Sequence, residues 1–167
     1  MISEMNEEKL YNILKELEVE YDVIEHNAVF SFEDKLEFKV KGFETVNLFL
    51  KVSKGEDYYL IVKDGNSGKV DIKLLAKMLG VKKFSFASGA DLMKCLGVEA
   101  GSVTIFGLIN DRFKKVFLKI DKNIKDYEFI YAHPLRNTAS IKIGYLGLIK
   151  FIDYLGIKYE FIDVPLK

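Results

Sequence analysis

The chain has 167 residues, 49% of them apolar and 30% charged, which is enough for one domain with its own core. Lys+Arg 25 and Asp+Glu 25 cancel to zero net charge, excluding a protein that grips nucleic acid by bulk charge but not one with a small local phosphate site. A lone Cys95 and two histidines, His26 and His133, exclude an intramolecular disulfide and a cysteine-rich zinc centre. The expectation is therefore a metal-free protein without a cofactor. No apolar run has the length of a membrane span, and MISEMNEEKL lacks a signal-peptide pattern. No membrane association is expected, and the predicted location is the cytoplasm.

Leu10, Ile13, Leu14 and Leu17 recur at helical spacing, with Ser3 or Asn6 as cap and Glu7 and Glu8 in the first turn. Tyr21–Glu25 reads as a strand. The stretch from Phe32 to Phe43 is polar and carries no clear period. Val46–Val52 is a strand, Lys54–Asp57 a turn, and Tyr58–Val62 the returning arm of a hairpin, followed by a turn over Gly65–Gly68. Asp71 caps a helix that buries Leu74, Leu75, Met78 and Leu79 and stops at Gly80. After a short strand over Lys83–Phe86, Ser88 and Asp91 form a capping box. The helix they open buries Leu92, Cys95 and Leu96 and ends at Gly97.

Four short segments rich in β-formers follow: Ser102–Phe106, Val116–Ile120, Glu128–Ala132 and Thr138–Ile143. A helix over Tyr145–Leu155 shows Tyr145, Leu148, Ile149, Ile152 and Leu155 on one stripe and stops at Gly156, and Tyr159–Val164 closes the chain as a strand. Hairpins interspersed with single helices predict an α+β fold, a mixed and curved sheet with helices packed on it, as a single domain over 1–167.

Polar residues break the apolar pattern at Gly42–Asn47, at Phe106–Arg112 and, most densely, at Tyr131–Thr138. In the last of these His133 precedes Pro134, which holds it extended, and Arg136, Asn137 and Thr138 follow. Two readings of His133 stand at this level, a hydrogen-bonded structural residue and a site residue. Gly107–Asp111 could equally be a plain turn. His26 reads as structural or surface, Cys95 as core and Ser88 as a cap, none of them as a nucleophile.

Phe86-Ala87-Ser88, Leu96-Gly97-Val98, Gly101-Ser102-Val103-Thr104, Phe106-Gly107-Leu108-Ile109-Asn110-Asp111 and His133-Pro134-Leu135-x-Asn137-Thr138-Ala139 come in a distinctive order. That order resembles the YbaK/ProX-type aminoacyl-tRNA deacylases, nearest the free-standing prolyl-tRNA editing (PrdX-like) branch. Tyr21-x-x-x-Glu25-His26, Asn47-Leu48-Phe49-Leu50 and Lys150-Phe151 fit the same pattern, so the resemblance spans nearly the whole chain.

The resemblance implies a trans-editing hydrolase that cleaves the ester of a mischarged tRNA, alanyl-tRNA(Pro) by family expectation. It uses neither metal nor covalent nucleophile, and the terminal adenosine's own hydroxyl helps water attack. The acceptor end of the mischarged tRNA would be the partner, with prolyl-tRNA synthetase a second candidate. By motif position Asn47 and His133 would be catalytic, Asn47 bonding substrate near the ester and His133 orienting substrate or water. Val46, Ile105, Phe106 and Gly107 would line the pocket, Gly107 by close backbone approach, while Asn137 and Thr138 would support the loop. Arg136 and Arg112 lie beside these blocks and are candidate phosphate contacts. Two positions depart from the family pattern: Val46 replaces a lysine and Ile105 a proline. The alternative is thus a catalytically impaired relative that binds tRNA ends, an aminoacyl-nucleotide or a protein partner.

Overall fold

The computed structural model describes residues 2–28 and 42–167. The unreadable stretch after Phe32 falls almost wholly outside them. Four helices and eight strands alternate irregularly: α1 (Ile2–Glu16), β1 (Tyr21–Glu25), β2 (Phe43–Val52), β3 (Tyr58–Asp64), α2 (Ile72–Met78), β4 (Phe84–Phe86), α3 (Gly89–Leu96), β5 (Val116–Asp121), β6 (Phe129–Ala132), β7 (Ala139–Gly144), α4 (Tyr145–Leu155) and β8 (Tyr159–Ile162). Two 3-10 segments, Ile105–Asn110 and Lys122–Asp126, join them. The sheet is mixed, in the order β1-β7-β6-β2-β3-β5-β8, with β4 paired to β2 off this path.

Alternation along β2 and β3 sends side chains to two apolar clusters on opposite faces. Phe43, Phe49, Leu60 and Val62 join α1, α3, α4 and the first 3-10 segment in the larger one. Leu50 and Ile61 join Leu75 and Ala76 of α2, Phe84 and Ile162 in the smaller. The cap signals hold where their chemistry is complete. Asp71 accepts from the Leu74 N–H, Ser88 and Asp91 close a full capping box, and Gly97 and Gly156 end α3 and α4 at φ 66° and 69°.

Three expectations need correcting. Ser102–Phe106 is no strand: Thr104 caps the 3-10 segment instead, its Oγ1 accepting from the Phe106 N–H, and Ile105–Ile109 are all buried. A run apolar on every side carries no period to distinguish the two. Ser3 and Asn6 are no caps, because α1 already runs from Ile2 and leaves both inside a helix, where a cap's extended backbone does not occur. On α2, Leu74 and Met78 are exposed and the buried pair is Leu75 and Ala76, because so short a helix lies on the sheet by one narrow edge.

Candidate functional site

The central strand β2 is paired unequally on its two sides. One side bonds β3 continuously from Thr45 to Lys51. The other is divided between β6, parallel at Phe43 and Glu44, and β4, antiparallel at Leu50–Val52. Between them, among the described residues, no strand pairs with β2 on that side, which leaves a gap. Its ends are closed by Thr45 Oγ1, which donates to Tyr131 O at 2.8 Å, and by the Ala87 N–H, which donates to Phe49 O at 3.0 Å. Because the Phe49 carbonyl points to this side, period-2 geometry turns the main-chain N–H and C=O of Asn47 into the gap as well.

Asn47 sits on the face of Phe43 and Phe49. Its Nδ2 donates weakly to Thr45 Oγ1 at 3.4 Å. Its Oδ1 is the one fully buried side-chain nitrogen or oxygen among the described residues that lacks a hydrogen-bond partner. A buried acceptor left empty costs free energy, and groups of this kind concentrate where a ligand supplies the missing donor.

His133 follows β6 directly, two residues past the Glu44–Tyr131 pair, where the pairing with β2 has ended. Thr104, fully buried, donates from Oγ1 to His133 O at 2.7 Å and so ties the loop to the 3-10 segment. The His133 ring donates from Nδ1 to Ala139 O at 3.0 Å, which fixes the tautomer and leaves Nε2 as a lone-pair acceptor. Burial lowers the His133 pKa and outweighs the carbonyl contact that raises it; the nearby His26 lowers it further. Burial thus favours the neutral form of the ring.

His26, read from sequence as structural or surface, stands beside this ring, with centroids 6.2 Å apart. Its Nδ1 pairs with Asn27 O at 2.7 Å and its Nε2 with Ser140 Oγ at 2.9 Å, next to the residue that holds His133. Glu44 lies in the same region, its carboxyl pushed up by burial and by Asp64 and drawn back by His26. His26 and Thr104 lie in the motif blocks, but the sequence assigns neither a role, because each acts through a contact made only in the fold.

Arg136 is anchored within the protein. Its Nε donates to Glu7 Oε1 at 2.9 Å and its terminal nitrogens to Glu25 at 2.7 and 2.8 Å and to Thr138 Oγ1 at 2.8 Å. Those carboxylates raise its pKa and leave little of the guanidinium for a phosphate, while Glu25 is correspondingly lowered. Leu135 beside it adopts φ 68°, a conformation that a non-glycine residue holds only when its surroundings impose it. Asn137 is buried in the same loop. Arg112 is exposed, two residues beyond the 3-10 segment.

Other predicted site residues are placed less directly. Ile105 and Phe106 are wholly buried, and Phe106 packs edge-on to Phe151 at 5.3 Å. The tight approach at Gly107 is to α3: a Cβ there would lie 2.9 Å from Leu96 Cβ. Val46 points to the opposite face from Asn47, and its cross-strand partner is Lys63. That lysine is buried, its pKa lowered by burial, with Nζ donating to Asp64 O at 2.8 Å and Ser67 O at 3.4 Å. Cys95 is buried in the larger core with its thiol pKa raised. Two open hollows of 890 and 590 Å³ flank Phe129 and Lys142, away from both Asn47 and His133. Among the described residues no three His, Cys, Asp or Glu side chains cluster to hold a metal, and no helix is long and apolar enough to cross a membrane.

The model of the aminoacyl-tRNA editing domain matches residues 31–151, a span that includes β2, the first 3-10 segment and the His133 loop. The chain belongs to the aminoacyl-tRNA editing domain family. It is 33% identical to the prolyl-tRNA editing protein ProX of Acetoanaerobium sticklandii, over 90% of this chain and 93% of that one. It is 28% identical to a prolyl-tRNA synthetase associated domain-containing protein of Danio rerio, over 87% and 80% respectively. A crystal structure described as a candidate trans-editing enzyme for prolyl tRNA synthetase superposes with a TM-score of 0.68, covering 97% of this chain and 98% of that one at 13% identity. In this editing domain Asn47, His133 and Arg136 fall inside the matched span, whereas Glu7 and Glu25, which hold Arg136, fall outside it.

Proposed function

We propose that this editing domain is a deacylase acting in trans on mischarged tRNA, with alanyl-tRNA(Pro) as substrate. The observation that carries the reading is the unpartnered Asn47 Oδ1 at the gap in β2, beside the loop after β6 on which Ala139 O holds the His133 ring. In this reading the aminoacyl group enters the gap, its ammonium donating to Asn47 Oδ1 and its carbonyl accepting from main chain. Water adds to the ester carbonyl, oriented by His133 Nε2 and by the free hydroxyl of the terminal ribose. The C–O bond to the other hydroxyl then breaks, that oxygen takes up a proton, and alanine and tRNA leave. An aminoacyl ester is labile enough for orientation and a fixed polar environment to supply most of the acceleration. Asn137 and Thr138 keep the loop in place. The tRNA acceptor end is the partner, Arg112 is the exposed arginine available to its phosphates, and prolyl-tRNA synthetase is a proposed associate.

The test is release of labelled alanine from alanyl-tRNA(Pro), with His133→Ala as control. Release clearly above the spontaneous rate, and lost in the variant, is expected; none at high enzyme overturns the reading. A second reading, a tRNA-end binder without turnover, draws on Val46, which cannot donate a hydrogen bond, and on Lys63, whose ammonium is directed at Asp64 and Ser67. Val46→Lys creating a deacylase from an inactive parent would favour it.

A further inference from the structure

Several large rings of this protein are used internally. Tyr59 meets Phe84 edge-on and Phe117 at a tilt, and Phe49 stacks on Tyr58. Phe86 does none of this. It is 67% exposed, although it lies on a strand, and among the described residues no ring or cation contacts it. It is also the last residue of β4, opposite Leu50, and the next residue, Ala87, closes the lower end of the gap through its bond to Phe49 O.

Cross-strand partners share a face, so Phe86 projects on the side of Leu50, Leu48 and Val46 rather than that of Asn47. Leu48 and Val46 are only half-buried there. The gap thus has a polar interior, marked by Asn47, and an apolar shelf outside it made of Phe86, Leu48 and Val46. Leu50, the partner of Phe86, is three positions from Asn47 along β2, or roughly 10 Å. That is about the length of one nucleoside, from the acylated hydroxyl to the far edge of its base. The neighbouring helix end adds no anion site, because Ser88 and Asp91 close it.

We propose that Phe86, supported by Leu48 and Val46, is the stacking platform for the terminal base of the acylated RNA. It fixes the ribose so that the ester lies in the gap. The proposal rests on the deacylase reading and adds a binding element to it. A flat exposed ring recognises a base by its π-face, with no demand on overall charge, as suits a neutral protein.

The experiment is a double-mutant cycle between ring and base. Phe86→Ala and Phe86→Trp are assayed on alanyl acceptor minihelices ending in adenosine or in an abasic ribose, which keeps the hydroxyls. Phe86→Ala is expected to lower kcat/KM about tenfold or more on the adenosine substrate, mostly through KM. Removing the base should cost the wild type as much, and cost Phe86→Ala little further, while Phe86→Trp restores the discrimination. In parallel, an unacylated minihelix ending in 2-aminopurine should be quenched by the wild type and by Phe86→Trp, but not by Phe86→Ala. Additive losses from the two changes, or equal quenching by all three proteins, would overturn the proposal. So would an unchanged quench with loss of self-association in Phe86→Ala, which would assign the ring to a protein interface. If the wild type releases no alanine, the deacylase reading fails, and the quenching arm still decides whether Phe86 stacks on a base.

Discussion

At the scale of single residues, the gap is defined by what two side chains leave undone. Asn47 keeps a buried oxygen without a donor. Replacing it by leucine removes that unpaired acceptor, so Asn47→Leu should keep its stability within about 1 kcal/mol of the parent or gain slightly. The same change should cost alanine release about tenfold to a hundredfold, the worth of one hydrogen bond to a charged group. Thermal melting and single-turnover deacylation measured side by side check the pair; equal loss in both would make Asn47 merely structural. His133 offers a lone pair at Nε2 because burial favours the neutral ring and the Ala139 carbonyl keeps its proton on Nδ1. Its pKa is lower folded than unfolded, so the unfolded chain binds more protons between those two values. Stability from this group is fully present above the unfolded value of about 6.5 and is lost as pH falls through that window. The acidic limb of the deacylation rate should therefore have its midpoint below 6.5, read from a pH profile; a midpoint above it would remove His133 as the acceptor.

At the scale of elements, the His133 loop is held from three directions. Thr104 fixes it from the 3-10 segment, Ala139 from β7, and Arg136 through Glu7 of α1 and Glu25 of β1. Arg136→Met should lower stability by about 1–2 kcal/mol, the range for charge-assisted bonds discounted because Glu25 is exposed to solvent. It should also reduce kcat more than it raises KM, by loosening His133; an effect on KM alone would restore a direct phosphate contact. Ser88→Ala, which removes the cap of α3, should cost about 1 kcal/mol in denaturant unfolding. These examples show which parts of the fold the sequence reveals. The α3 capping box and the glycine at its end are local chemistry, complete within ten residues, and they were legible. So was β2, whose apolar run belongs to no other element type. The 3-10 segment was not, because Thr104 is tied to His133 O, 29 residues later in the sequence, by a contact that only the fold makes. Arg136 was visible as a lone cation in a polar loop, yet its partners lie more than a hundred positions earlier. The contact of His26 with Ser140 was hidden for the same reason. The motif residues themselves, Asn47 and His133, stood out by resemblance, whereas the interruption of pairing that joins them had no trace in the strand pattern.

At the scale of the whole molecule, the balanced charge limits how RNA can be held. With 25 cationic and 25 anionic side chains, and with Arg136 already engaged by Glu7 and Glu25, only a few phosphates can be neutralised. Binding of an acceptor minihelix should therefore weaken only gently with salt, with a slope in log K against log salt of about −1 to −2. A titration of affinity from low to moderate ionic strength measures it, and a slope several-fold steeper would overturn the expectation of few phosphate contacts. The gap in β2 carries a consequence of a different kind. An unpaired strand edge inside a sheet ordinarily invites another chain to add itself. Here, among the described residues, the open edge runs from Thr45, whose hydroxyl donates to Tyr131 O, to Phe49, whose carbonyl accepts from Ala87, so that Asn47 is the one whole residue between them with its main chain turned to this side. A peptide cannot lie along so short a stretch, but a single amino acid can. On the deacylase reading the sheet itself would act as a length gauge, admitting the smallest unit of polypeptide and turning away every longer one.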